Sequence, residues 1–153
     1  MKTVIVSGAQ GQLGSSVVQE FLDAGYRVIG LVRTLKADNS NINYEEIIVD
    51  LTDEIQCQQI IKSIIEKYKS IDVAILTAGG FAMGDLNNTH IKELNNQYKL
   101  NFETAYNIAH PAVIKMLEQD KGRIFLIGSK AGIDVSKAKS TIAYALSKSL
   151  LFR

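Results

Sequence analysis

The sequence predicts an α/β protein built on a doubly wound parallel sheet with helices on both faces, a three-layer αβα arrangement. Three observations carry that expectation. Short segments rich in β-branched residues alternate with longer ones whose apolar residues recur every three or four positions. The strand-like segments are mostly continuous apolar runs, the pattern of strands covered on both faces. The residues capable of chemistry fall just after those strands, where ligands bind in such sheets.

The first strand is expected at residues 2–7 (KTVIVS), followed by a glycine-rich turn and a helix over 11–24 with Leu13, Val17, Val18, Phe21 and Leu22 on one face. Gly25 stands where a helix C-cap glycine belongs. A second strand at 26–32, a polar stretch at 35–43 and a third strand near 44–49 come next. The helix expected over 53–68 takes Ile55, Ile60, Ile61, Ile64 and Ile65 as its apolar set. Residues 71–77 (IDVAILT) form a fourth strand ending in Ala78-Gly79-Gly80. A helical region over 89–118 contains Pro111, which is expected to bend or divide it. Residues 122–128 (GRIFLIG) read as a fifth strand, and a helix carrying Tyr144 follows. No internal repeat, low-complexity tract or linker interrupts this order, so residues 1–153 read as one domain.

Composition narrows the function. Net charge is +1 and the basic residues are scattered, which gives no case for nucleic acid or an anionic membrane surface as partner. Cys57 is the only cysteine, so an internal disulfide and a cysteine-rich zinc site are excluded. His90 and His110 lie far apart without a carboxylate pattern and read as surface or helix residues rather than metal ligands. The N-terminal apolar run leads straight into the glycine turn and reads as a strand, not a signal peptide. No apolar stretch reaches the ~18 residues of a membrane span, and a cytoplasmic protein is the default expectation.

Each strand end then adds a functional clue. After the first strand, Ser7-Gly8-Ala9-Gln10-Gly11-Gln12-Leu13-Gly14 offers a tight turn and close backbone approach, with a helix N-terminus to receive a pyrophosphate. The plainer reading is a glycine turn with no ligand. At the end of the second strand stands Arg33, where NAD-binding proteins place an acid for the adenosine ribose. An arginine there suits a 2′-phosphate, favouring NADP(H) over NAD(H), unless it is simply a solvated surface residue. Asp50-Leu51 follows the third strand. Asp50 could accept from an adenine amino group with Leu51 against the ring, while Thr52 or Asp53 caps the next helix.

Taken in order, these features resemble the short-chain dehydrogenase/reductase family over the whole chain. They are the glycine turn at 8–14, Asp50-Leu51, Ala78-Gly79, Asn101, Ser129 and the pair Tyr144-x-x-x-Lys148. The segment IDVAILTAGG is also similar to dihydropteridine reductases within that family. Much of the family carries Asn where this chain has Thr77. The resemblance implies a Rossmann fold, a homo-oligomer (dimer or tetramer) and hydride transfer between nicotinamide and a small carbonyl or alcohol substrate. It makes Tyr144 the general acid/base and Lys148 its partner and ribose ligand. Ser129 would hold the substrate oxygen and Asn101 a relay water. Gly8, Gln10, Gly11, Gln12, Leu13, Gly14, Arg33, Asp50, Leu51, Ala78, Gly79 and Gly80 would line the cofactor.

Tyr144 and Lys148 lie four residues apart in TIAYALSK, so both leave the same helix face. On an arbitrary helix such a pair is a half-buried ring beside a solvated ammonium; the preceding strand ends make it chemistry. Two departures from the family stand out. Ser129 and Tyr144 are 15 residues apart, a spacing slightly longer than is common there. The sequence also ends at Arg153, before the strands and lid that family members normally carry, so the C-terminal strands are expected to be missing. The competing expectation is therefore a catalytically silent nucleotide-binding or scaffold protein.

Overall fold

The computed structural model describes residues 1–35 and 41–152. Of the polar stretch expected at 35–43, residues 36–40 lie outside what is described. Five parallel strands form one sheet: β1 (Thr3–Ser7), β2 (Arg27–Val32), β3 (Tyr44–Ile48), β4 (Val73–Leu76) and β5 (Arg123–Leu126). Their order is β3-β2-β1-β4-β5. The chain winds outward from β1 to β3, then crosses back to place β4 on the other side of β1. The carboxyl ends of β1 and β4 thus flank the switch point where ligands bind in such sheets.

Alternation along the buried strands feeds two cores. Ile5, Ile29, Leu31, Ala74 and Leu76 point to one face. There they meet α2 (Glu54–Tyr68) through Cys57, Ile61 and Ile64, and α4 (Thr104–Glu118) through Ala105, Ile108 and Ala112. Val4, Val6, Val28, Val32, Val73 and Ile75 point to the other, against Val17, Val18 and Phe21 of α1 (Gln12–Asp23). Fully burying one such side chain contributes about 1.5–3 kcal/mol, so the central strands hold the fold.

The helix ends follow local chemistry. Asp53 caps α2, accepting the Gln56 N–H at 3.0 Å. Gly25, at φ +78°, closes α1: its N–H reaches Leu22 O while the Tyr26 N–H reaches Phe21 O, satisfying two otherwise orphaned carbonyls.

Three sequence expectations are corrected. Ile55 is 68% exposed and does not belong to the apolar face of α2; Cys57 takes that place, fully buried. The third strand is not a continuous buried run, because at the sheet edge it carries Glu45 and Glu46 among half-buried positions. Glu45 binds Lys67 at 2.8 Å and accepts from Tyr68, fastening the edge to α2. Finally, Pro111 does not divide the helical region over 89–118, because it lies inside α4; the irregularity is a π-helical turn, Lys99–Glu103, between α3 (Ile91–Tyr98) and α4. The wide turn buries Asn101 completely while its neighbour Leu100 stays 39% exposed. Such turns are frequent at functional sites.

After β5, α5 (Lys130–Ile133) and a 3₁₀ turn (Val135–Lys137) lead into α6 (Ile142–Ser149). β5 is the opposite sheet edge, with Phe125 and Leu126 exposed. Among the described residues no helix is long and apolar enough to cross a membrane.

The exposure difference within α2 is directly measurable. Ile61→Ala should cost about 2–5 kcal/mol, the range for emptying a packed site, whereas Ile55→Ala should change stability by less than about 0.5 kcal/mol. Urea unfolding of the two variants checks this, and equal losses would contradict the packing of α2 described here.

Candidate active site

At the switch point the backbones of β1 and β4 come close together. Gly8 has φ +65°, and a Cβ there would stand 3.1 Å from the Ala78 backbone. Gly14 packs tighter still: a Cβ would lie 2.1 Å from Gly8 O. Thr77, the residue that departs from the family's Asn, donates its hydroxyl to Ser7 O at 2.6 Å, and the Ala78 N–H donates to Ser7 Oγ at 3.2 Å. Thr77 therefore joins the ends of β1 and β4.

Gly11 precedes α1 without a side-chain cap, and the first turn contains no acidic residue. Gln12 and Leu13 are exposed there. The N–H groups and positive end of α1 thus meet no side-chain oxygen of their own helix, the arrangement a pyrophosphate requires.

A buried polar cluster lies beyond β4. Asn101, 0% exposed, accepts the Gly80 N–H on Oδ1 at 3.0 Å. Its amide donates to Gln97 Oε1 at 3.0 Å and to Ser147 Oγ at 3.1 Å. Lys148 is only 6% exposed, and its Nζ donates to Ile127 O at 2.7 Å. A Cβ on Gly79 would come within 2.6 Å of Asn101 Oδ1 and 3.4 Å of Lys148 Nζ. Gly79 itself is exposed, so it leaves an open notch with these two polar groups behind it.

The structure brings Gly79, Gly80, Asn101 and Lys148 together, as the sequence reading requires. Ser129 sits two residues past Ile127 and caps α5, accepting the Ala131 N–H at 3.3 Å. Gly132 of α5 packs against the Lys148 backbone. Tyr144 is half-buried, with the Phe81 ring edge-on at 5.0 Å. Its Oη makes no hydrogen bond among the described residues, so no such bond joins it to Ser129 or Lys148. The loop after β4 is tied to the start of α6, because Gly84 N–H reaches Ser140 O and Ile142 N–H reaches Gly84 O.

The remaining candidates lie in the glycine turn and past the carboxyl ends of β2 and β3. Arg33 is exposed just past β2. Asp50 is exposed, and its Oδ1 accepts from the Thr52 N–H at 2.9 Å and the Thr52 hydroxyl at 2.7 Å, which hold its carboxyl below the usual range. Leu51 packs on the α2-side core, and its carbonyl accepts from Asn107. Gln10 reaches from the glycine turn to Thr34 O at 2.7 Å and Glu46 Oε2 at 3.1 Å.

Sequence reading missed Gln97, Ser147, Phe81 and Glu46. Gln97 and Ser147 carried a faint signal: one lies four residues before Asn101, the other directly before Lys148.

With the geometry in hand, comparison with known proteins is consistent. Residues 2–151 match the family described as short chain dehydrogenase, and the chain belongs to that family. It is 29% identical over 146 residues to a dehydrogenase/reductase SDR family protein 7-like protein of Dictyostelium discoideum, covering 86% of this chain and 46% of that protein. It is 29% identical to the 3-oxoacyl-(acyl-carrier-protein) reductase FabG of Buchnera aphidicola, covering 97% of this chain and 62% of that one. The chain therefore spans about half the length of the curated relatives it matches. Among solved structures, ElxO with NADP bound superposes with a TM-score of 0.90 at 26% identity, covering 98% of this chain and 63% of that one. A Leptospira borgpetersenii short chain dehydrogenase with bound NAD+ gives 0.84 at 25% identity, covering 97% and 60%.

Burial of Lys148 also has a cost. Desolvation lowers its pKa from the ordinary lysine value of 10.5, so the folded state holds the ammonium less readily than the unfolded chain. That penalty is fully present below the lowered pKa and is relieved as pH rises from there toward 10.5. Lys148→Met should accordingly raise stability without nucleotide by about 1 kcal/mol. Its advantage over wild type should shrink as pH approaches 10.5. Urea midpoints across that range check both statements, and a destabilised methionine variant would mean the Ile127 contact outweighs the buried charge.

Proposed function

We propose that this protein is an NADP(H)-dependent oxidoreductase acting on a small carbonyl or alcohol substrate, with residues 1–153 as its nucleotide-binding domain. The observation that carries the reading is the buried Lys148 ammonium beside Asn101 Oδ1, directly behind the open notch at Gly79. A buried charge with a single carbonyl partner and no carboxylate among the described residues is expensive and makes sense where a ligand turns it to use. When bound, a nicotinamide nucleotide would supply or accept the hydride.

The residues of this chain do the rest. The turn at Gly8, Gly11 and Gly14, with Gln12 and Leu13 opening α1, holds the pyrophosphate. Asp50 and Leu51 flank the adenine, and Ala78, Gly79 and Gly80 line the floor of the groove. Lys148, four residues from Tyr144 on the same helix, would turn its donors from Ile127 O to the ribose hydroxyls. In reduction, Tyr144 Oη gives its proton to the substrate oxygen as the carbonyl carbon is reduced. In oxidation it takes that proton back. Ser129 donates to the same substrate oxygen and orients it. Asn101, fastened through Gly80 and Ser147, holds a relay water beside Lys148.

We further read the protein as a cytoplasmic homo-oligomer. Support comes from α4, which leaves Tyr106, Val113, Ile114 and Leu117 exposed, an apolar stripe of the kind that marks interaction surfaces.

Tyr144→Phe should bind nucleotide as wild type does but lose turnover by about 10²–10⁴-fold. Lys148→Ala should weaken binding and rate together, and Lys148→Arg should restore at most part of each. Steady-state kinetics with parallel nucleotide titration separates these outcomes. A phenylalanine variant that keeps most of its activity would remove Tyr144 from the mechanism. Wild-type protein that binds nucleotide yet turns over no carbonyl or alcohol would favour the catalytically silent reading.

Arg33 should bind NADPH over NADH by about 1–3 kcal/mol, the range for hydrogen bonds to charged groups. Titrating both nucleotides against wild type and Arg33→Ala tests it; a preference unchanged in the variant would leave Arg33 as surface.

A further inference from the structure

Arg33 is not the only charged group at the adenosine end of the groove. Glu46 lies on β3 opposite Gly30 of β2. Both of its carboxyl oxygens accept hydrogen bonds: Oε2 from Gln10 Nε2 at 3.1 Å and Oε1 from Tyr44 Oη at 3.0 Å. Gln10 is part of the glycine turn, and the same Nε2 also donates to Thr34 O at 2.7 Å, one residue past Arg33. One amide nitrogen therefore touches both the carboxylate of Glu46 and the chain just beyond β2. That places an anion at the strand end where the adenosine ribose of a dinucleotide is read.

The packing keeps it there. A Cβ on Gly30 would lie 2.5 Å from Tyr44 Oη and 2.8 Å from the Ala9 Cβ; the missing side chain makes room for the Tyr44 ring under the turn. Burial and the Glu46 contact push the Tyr44 pKa well up, so Tyr44 keeps its proton and acts as the donor.

We propose that Glu46, held against the glycine turn by Gln10 and Tyr44, is a specificity-determining residue that favours a free ribose 2′-hydroxyl and opposes the preference of Arg33 for a 2′-phosphate. The inference rests on the nicotinamide-nucleotide reading above and deepens it. β2 ends without the usual acid, and the neighbouring strand supplies one from the side. The two charges act in opposite directions: Arg33 attracts the 2′-phosphate, and Glu46 repels it while accepting from a 2′-hydroxyl.

The test is titration of NADPH and NADH against wild type, Glu46→Gln and Glu46→Asp, with thermal melting to confirm folding and 2′,5′-ADP and 5′-AMP as probes of the adenosine end alone. Glu46→Gln should raise the NADPH-to-NADH affinity ratio by roughly three- to tenfold, the scale of a partly screened like-charge contact. Glu46→Asp keeps the charge and should stay near the wild-type ratio. The glutamine effect should narrow at high salt. An unchanged ratio in Glu46→Gln, or an equal shift in Glu46→Asp, overturns the assignment while leaving the cofactor reading intact. Wild-type protein that binds neither nucleotide overturns both.

Discussion

The hydrogen bond from the Gly80 N–H to Asn101 Oδ1 is the contact on which the site's geometry depends. It lies where β4 leaves the sheet, and its acceptor is fully buried. Through its amide, Asn101 also holds Gln97 on α3 and Ser147 on α6. One side chain thus fixes the strand end, the long helical region and the helix bearing Tyr144 and Lys148. Both amide hydrogens and one lone pair of Oδ1 have protein partners, which makes a buried amide specific in placement. The π turn at Lys99–Glu103 is the backbone counterpart, since it accompanies the burial of Asn101 while Leu100 remains partly exposed.

Lys148 stands apart from this satisfied network. Its ammonium has one described partner, the Ile127 carbonyl, and no carboxylate within ion-pair distance among the described residues. A cation so placed lowers stability, and the surrounding structure makes up the loss. The central strands do so with residues at 0% exposure on both faces, such as Ile5 and Ile29 on one and Val4 and Val28 on the other. Strain and buried charge are tolerated next to a rigid scaffold and recur at functional sites for that reason.

Much of this was legible in the sequence because local pattern and tertiary role coincided. The runs TVIVS and VAIL are strands by composition and become buried strands in the sheet. The glycines at 8, 11 and 14 mark a turn from spacing alone. Where pattern and role separated, reading failed. Ile55 has helical spacing but stands on the solvent side of the first turn of α2. Pro111 is a helix breaker by propensity, yet it lies inside α4, and the irregular turn comes instead at Lys99–Glu103, around the hydrogen-bonded Asn101. Among the site residues, those set in motifs were visible. Gln97, Ser147 and Glu46 each bond a residue on another element, Asn101 for the first two and Gln10 for the third, which no local spacing displays.

The two parts of the candidate site are consequently built on different terms. At the Tyr144 end, Asn101, Ser147 and Lys148 are buried, and Asn101 is bonded directly to Ser147, so a change at either of these two disturbs the other and the helices they join. Past β2 and β3, Arg33 and Asp50 are exposed, and Glu46 belongs to an edge strand half open to solvent. Substitutions there alter the local field without emptying a packed site, so their stability cost is small. The proposed acid–base chemistry thus falls on the part of the molecule least free to vary. The proposed nucleotide selection falls on an exposed surface whose charge can change residue by residue while the sheet beneath it stays the same.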